Sequence, residues 1–186
     1  MLYKRSILVL FTVIFLSGCQ LDTRSSVDDY TGADAAKIRV LDRGIIGLVV
    51  YEPLGNCYKE VDSRKLTSTF HLSLIDQADQ SVGSTKSIGM QKPGKFQNKV
   101  VKEYSIKSGQ YLAIVNTTRQ ETYSGATNVY NNSTYFIPEK NHEYEIHAEP
   151  SKYLSSPASV TIDDLTSNDK LKEWKGELCK KTGFFS

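Results

Sequence analysis

From residue 37 onward the chain is a succession of short segments in which apolar and polar residues alternate: 37–40, 45–51, 69–75, 100–106, 110–116, 134–137, 143–148 and 159–162. A period of two places every second side chain on one face, so each segment is predicted as a half-buried β-strand. Pro53, Gly55, Gly83, Pro93-Gly94, Gly125, Pro138 and Pro157 interrupt the series where turns are required. No helical period separates consecutive strands, and parallel neighbours need a long crossover, so the strands are expected to run antiparallel. Their apolar faces must then cover one another as two packed layers.

The fold expected is all-β, a small antiparallel β-sandwich of immunoglobulin-like or prealbumin-like type with a short C-terminal helix. Its clearest hairpin is predicted over 100–116, where Lys107-Ser108-Gly109 connects two strands and Gly109 suits the left-handed conformation. Tyr104, Ile106, Leu112, Ile114, Tyr144 and Ile146 are the expected core. Near the end Leu171, Trp174 and Leu178 recur at spacings of three and four behind Ser167-Asn168-Asp169, which predicts a short capped helix, weakened by Gly176.

The first eighteen residues have a different character. Lys4 and Arg5 precede an apolar run at 7–16, which as helix would rise only about 15 Å, half of a bilayer core of roughly 30 Å. This is the pattern of an export signal. Its last residues, Leu16-Ser17-Gly18 followed by Cys19, resemble the lipobox of bacterial lipoproteins. The resemblance implies cleavage before Cys19, a thioether-linked lipid on its sulfur and acylation of the new amino terminus; two or more chains make release from a membrane very slow. Gln20, where lipoproteins retained in the inner membrane carry Asp, implies the outer membrane by the same resemblance. The domains expected are a signal peptide at 1–18, a lipidated tether at 19–29 and a β-sandwich at 30–186.

Removing residues 1–18 leaves 21 cations and 21 anions. A neutral chain gives no electrostatic footprint for nucleic acid, and none is expected as a partner. Cys57 and Cys179 remain beside the lipid site. In an oxidising periplasm they are expected to bond to each other. His71 stands alone, and His142 and His147 are five apart in a strand-like stretch, so no metal site is expected; no cofactor motif occurs either.

A second resemblance starts at Tyr30-Thr31-Gly32-Ala33-Asp34-Ala35-Ala36 and the strand ending in Arg39-Val40. It is similar to the opening of a group of uncharacterised proteobacterial outer-membrane lipoproteins with Tyr-Thr-Gly-Pro-Asp-Ala-Ala, Ala33 replacing the Pro. The likeness continues through Asn56-Cys57, Ile88-Gly89-Met90, Tyr104 to Gln110, Phe136-Ile137-Pro138 and Glu143-Tyr144-Glu145. It implies fold and location, and no activity.

Catalytic motifs fail on context. Ser167-x-x-Lys170 and Lys181-Thr182-Gly183 have the residue types of serine β-lactamases, but they lie fourteen apart at the end of a short domain. Gly83-Ser84-Thr85-Lys86-Ser87 lacks the first glycine of a phosphate loop. Two loops are the expected recognition surfaces. The stretch 77–99 is basic, with Lys86, Lys92, Lys95 and Lys99; the stretch 118–133 carries Arg119, Tyr123 and Tyr130 among small polar residues. The expected function is therefore that of an outer-membrane lipoprotein on the periplasmic face, anchored by its acyl chains. It is expected to bind an envelope protein or cell-wall component and not to be an enzyme. A periplasmic hydrolase and a structural subunit of an envelope assembly are the alternatives.

Overall fold

The computed structural model describes residues 27–42, 44–68, 85–96, 99–121, 125–148, 159–167 and 169–180, except the side chains of Ser68, Arg119, Gln120 and Glu121. Cys19, the strand expected at 69–75 with His71, and Tyr123 lie outside the described residues. Among the described residues there are eight strands: β1 Ala35–Leu41, β2 Ile45–Leu54, β3 Cys57–Ser68, β4 Val101–Lys107, β5 Tyr111–Glu121, β6 Thr127–Phe136, β7 Glu143–Ala148 and β8 Val160–Asp164. They form two four-stranded sheets, ordered β4-β1-β7-β8 and β3-β2-β5-β6.

The alternation fixed which residues turn inward. Ile38, Val40, Tyr104, Ile106, Tyr144 and Ile146 of the first sheet meet Ile46, Leu48, Leu112, Ile114 and Phe136 of the second in one buried cluster. Each such side chain contributes about 1.5–3 kcal/mol relative to exposure. The Tyr104 hydroxyl crosses between the layers and donates to the Leu66 carbonyl at 2.6 Å, and burial pushes its phenol up to about 12. Val27, within the stretch assigned to the tether, is buried in the same cluster. Packing thus begins three residues before Tyr30.

Three sequence expectations are corrected. First, the sandwich is mixed: β1 pairs antiparallel with β4 but parallel with β7. No crossover helix is needed, because the whole second sheet and β4 lie between those two strands in the chain. Second, residues 100–116 are not a hairpin. β4 belongs to the first sheet and β5 to the second, so the Ser108-Gly109 turn carries the chain from one layer to the other. Gly109 does have a positive φ of 74°, and Tyr104, Ile106, Leu112 and Ile114 are core, but they face each other across it. Third, no helix forms over 169–180. That segment lies on the outside of the second sheet, and its contacts there, described below, override the local helical spacing.

Candidate functional site

The outer face of the first sheet is where the basic stretch lies. Within the sheet, Arg39 is registered across from Glu103 on β4 and from Glu145 on β7, which is the position a charged cross-strand pair needs. Its Nη2 lies 3.0 Å from Glu103 and its Nη1 3.7 Å from Glu145, all three side chains being buried. What buries them is the backbone of residues 87–96. Glu103 Oε2 accepts from the Ser87 hydroxyl and from the N–H groups of Ile88, Gly89 and Met90. Glu143 accepts from Gln91 and Lys92, and Glu145 from Lys95 and Phe96. Desolvation pushes the Glu103 carboxyl up, but the Met90 and Ile88 N–H groups, Ser87 and Arg39 together outweigh it and hold it below its ordinary value.

These bonds assign the basic residues a different role from the one expected. Lys86 lies 2.9 Å from Asp29 and 4.2 Å above the Tyr104 ring. Lys95 reaches Asp163 at 2.7 Å. Lys92 contributes its backbone, donating to Glu143 and accepting from Arg39 at 3.2 Å. The side chains of Lys92 and Lys99 are exposed. Chemically this face is a clamp: three carboxylates satisfy the backbone donors of an irregular segment that could not pair in a sheet. Gly94 is needed at its centre, since a Cβ there would collide with the Glu145 carboxylate.

The stretch 118–133 is not a long loop. β5 runs to Glu121 and β6 starts at Thr127, paired through Thr118–Tyr130, Arg119–Val129 and Glu121–Thr127. Polar side chains on both strands disguised the ladder. Arg119 and Tyr130 therefore stand on neighbouring register positions of two paired strands and not on the connection between them.

His142 carries the nearest approach to catalytic geometry. Its Nδ1 lies 2.7 Å from Asp164 Oδ2. Ser167, however, donates to that same Asp164 oxygen at 3.3 Å, while the second ring nitrogen faces Glu139 at 3.6 Å. A nucleophile must bond to the imidazole and not to its carboxylate partner, so this is not a Ser-His-Asp triad. Among the described residues no cluster of three or more His, Cys, Asp or Glu side chains is placed to hold a metal ion.

The outer face of the second sheet is different in kind, because apolar residues occupy it as well as the inner face. Val49 and Tyr51 on β2 and Ala113 on β5 point outward and form a second buried cluster with Trp174. Trp174 packs against Tyr51, Tyr58, Tyr111 and Tyr135, with ring centroids between 4.6 and 5.5 Å, and its Nε1 donates to the Leu112 carbonyl at 2.8 Å. The segment that carries it is held at both margins of the sheet. Just past the end of β6 the Ile137 N–H donates to Lys172; at β3 the Tyr58 N–H donates to Glu177 and its carbonyl accepts from Cys179. Gly176 crosses directly over the Tyr58 ring, where a Cβ would not fit. The Cys57–Cys179 disulfide closes this end, as expected from the sequence.

Beside this segment a groove of about 1020 Å³ remains open. Val49, Tyr51, Val115 and Tyr135 line it. So do Glu60, Val61, Asp62 and Ser63 of β3, Asn131 and Ser133 of β6, and Leu178, Cys179 and Lys180 of the crossing segment. Leu54 and Leu178 at its margin are 57% and 40% exposed. Burial raises the phenols of Tyr51 and Tyr58 above 10, with Tyr135 and Tyr111 adding respectively, so both stay neutral in any physiological medium. Sequence reading missed this surface. Its one legible sign was the unbroken run Leu48-Val49-Val50-Tyr51, which is apolar on both faces of a strand. No protein-family model, no curated protein and no solved structure matches the chain.

Proposed function

We propose that this chain is an outer-membrane lipoprotein of the periplasmic face whose sandwich is a non-enzymatic binding module for a cell-envelope component. The lipobox residues 16–19 support the anchor, and the groove on the second sheet supports the binding role. The observation that carries the latter is the combination of apolar floor and fixed wall. Val49, Val115, Tyr51 and Tyr135 lie under a mixed polar margin, while Trp174 and the disulfide hold the adjoining wall in place before any ligand arrives. Preorganised apolar concavity with a few polar groups is what binding surfaces require.

The prealbumin-like form of the sandwich is proposed over the immunoglobulin-like one. Immunoglobulin sandwiches set four strands against three, or nine in all, whereas the described residues of this domain set four against four with β1 and β7 parallel.

Site-specific photocrosslinking in intact cells tests the binding role. A crosslinker at Ser63 or Ser133 should give a discrete adduct, and one at Gln91 on the opposite sheet should not. Equal adducts from both faces, or none from the groove, would refute it.

A further inference from the structure

The second sheet already holds one ligand-like segment, and it belongs to the chain itself. Residues 172–179 cross from β6 to β3 without regular structure of their own. They bond through backbone groups at each margin and place one large apolar side chain over the middle strands. The width of four strands is about 14 Å, which about five residues span at roughly 3.3 Å each. Lys172 and Glu177, the residues bonded at the two margins, are separated by that distance in sequence.

Resting on the reading of the groove as the binding surface, we infer that its ligand is a second extended polypeptide, lying beside residues 172–179 and crossing the same sheet. Tyr51, Tyr58 and Tyr135 belong to both the buried cluster and the groove, so an incoming chain continues an existing interface. Its apolar side chain rests on Val49 and Val115. Its backbone reaches β3, an outer strand of its sheet whose only bridge to another segment, among the described residues, is Tyr58 to Leu178. Strand edges of this kind bind extended peptides through main-chain bonds while side-chain pockets select them. A glycan is a poorer match. The tyrosine rings that would stack on a sugar are tilted or edge-on against Trp174 and each other, and Tyr51 is only 9% exposed. Charges of both signs, Glu60 and Asp62 against Lys59 and Lys180, line the margin, so the peptide is selected by its apolar residue more than by its charge.

The experiment uses the full-length protein in detergent micelles and two probes, a phage library of random dodecapeptides and soluble peptidoglycan fragments. Selected peptides should share an apolar or aromatic residue and lose at least tenfold in affinity with Val115→Glu. They should lose as much when alternate backbone amides of the peptide are N-methylated, and be unchanged by Gln91→Ala. Ser133→Trp, which fills the groove without touching the core, should reproduce the loss if Val115→Glu lowers the melting temperature. Peptidoglycan fragments binding with Val115 dependence, while no peptide does, would overturn the peptide assignment and leave the groove as the binding surface. Binding of neither probe at the groove would overturn both.

Discussion

The guanidinium of Arg39 donates from Nε and Nη2 to a single oxygen of Glu103, at 3.1 and 3.0 Å, which leaves the other oxygen free for four donors of residues 87–90. One cation thus divides a carboxylate between a sheet and the segment that covers it. A buried pair of this kind is weak evidence for added stability while intact, but removing one partner strands a buried charge.

Arg39→Met should therefore destabilise the domain by about 3–5 kcal/mol, because Glu103 and Glu145 lose their cation inside the protein. Urea unfolding checks this. Amide exchange of 88–96 should accelerate in the same variant more than exchange in β2 and β5; uniform acceleration would mean that the clamp is not a local unit.

Acid should weaken the fold in a defined window. The carboxyls of Glu103 and Asp164 are held below their ordinary values of 4.5 and 3.8. For Asp164 desolvation opposes this, and the His142 ring with the Thr166 and Ser167 N–H groups outweighs it. A depressed folded value means that the stabilisation is complete above the unfolded value and is lost as pH falls through the folded one. Melting temperatures should show no contribution from these groups' titration above about pH 5 and decline below 4.5. Glu103→Gln should reduce the slope of that decline.

Trp174→Ala should cost about 3–5 kcal/mol, the usual range for a buried large aromatic. Gly176→Ala should also destabilise, because its methyl collides with the Tyr58 ring, although alanine favours a helix at that position. A stabilised Gly176→Ala protein in thermal melts would show that residues 169–180 are helical after all.

Removing the disulfide by Cys57→Ser should cost roughly 2–5 kcal/mol, since it closes a sequence separation of 122 residues. Trp174 and the Ile137–Lys172 bond remain, so hydrogen exchange should rise first at 177–180 and not throughout the segment.

Cys19→Ala should abolish incorporation of labelled palmitate and leave an uncleaved or a soluble form of the protein. Retained label in that variant would count against the lipobox.

How much of this was legible depends on the range of the forces involved. Ile38 and Val40, Leu112 and Ile114, Tyr144 and Ile146 announced their strands and their inward faces, because alternation is a property of neighbours in sequence. β3 was overlooked since Lys59, Glu60, Asp62, Arg64 and Lys65 crowd it, which is normal for an outer strand that must avoid sticking to others. The same limit hid the clamp. Arg39, Glu103, Glu143 and Glu145 occupy ordinary outward positions and look solvated until residues 87–96 fold over them.

By itself, then, the sequence determined the strand-rich class, most of the inward side chains, the turn at Gly109 and the pairing of Cys57 with Cys179. Tertiary structure decided that β4 and β5 separate into different sheets, that β1 lies parallel to β7, and that residues 169–180 abandon a helical spacing to cross the second sheet. The reason is physical: a few residues of local pattern fix which way a side chain points. What it meets there is set by contacts tens of residues apart, such as Trp174 with Leu112 and Arg39 with Glu103, whose energies outweigh local preference.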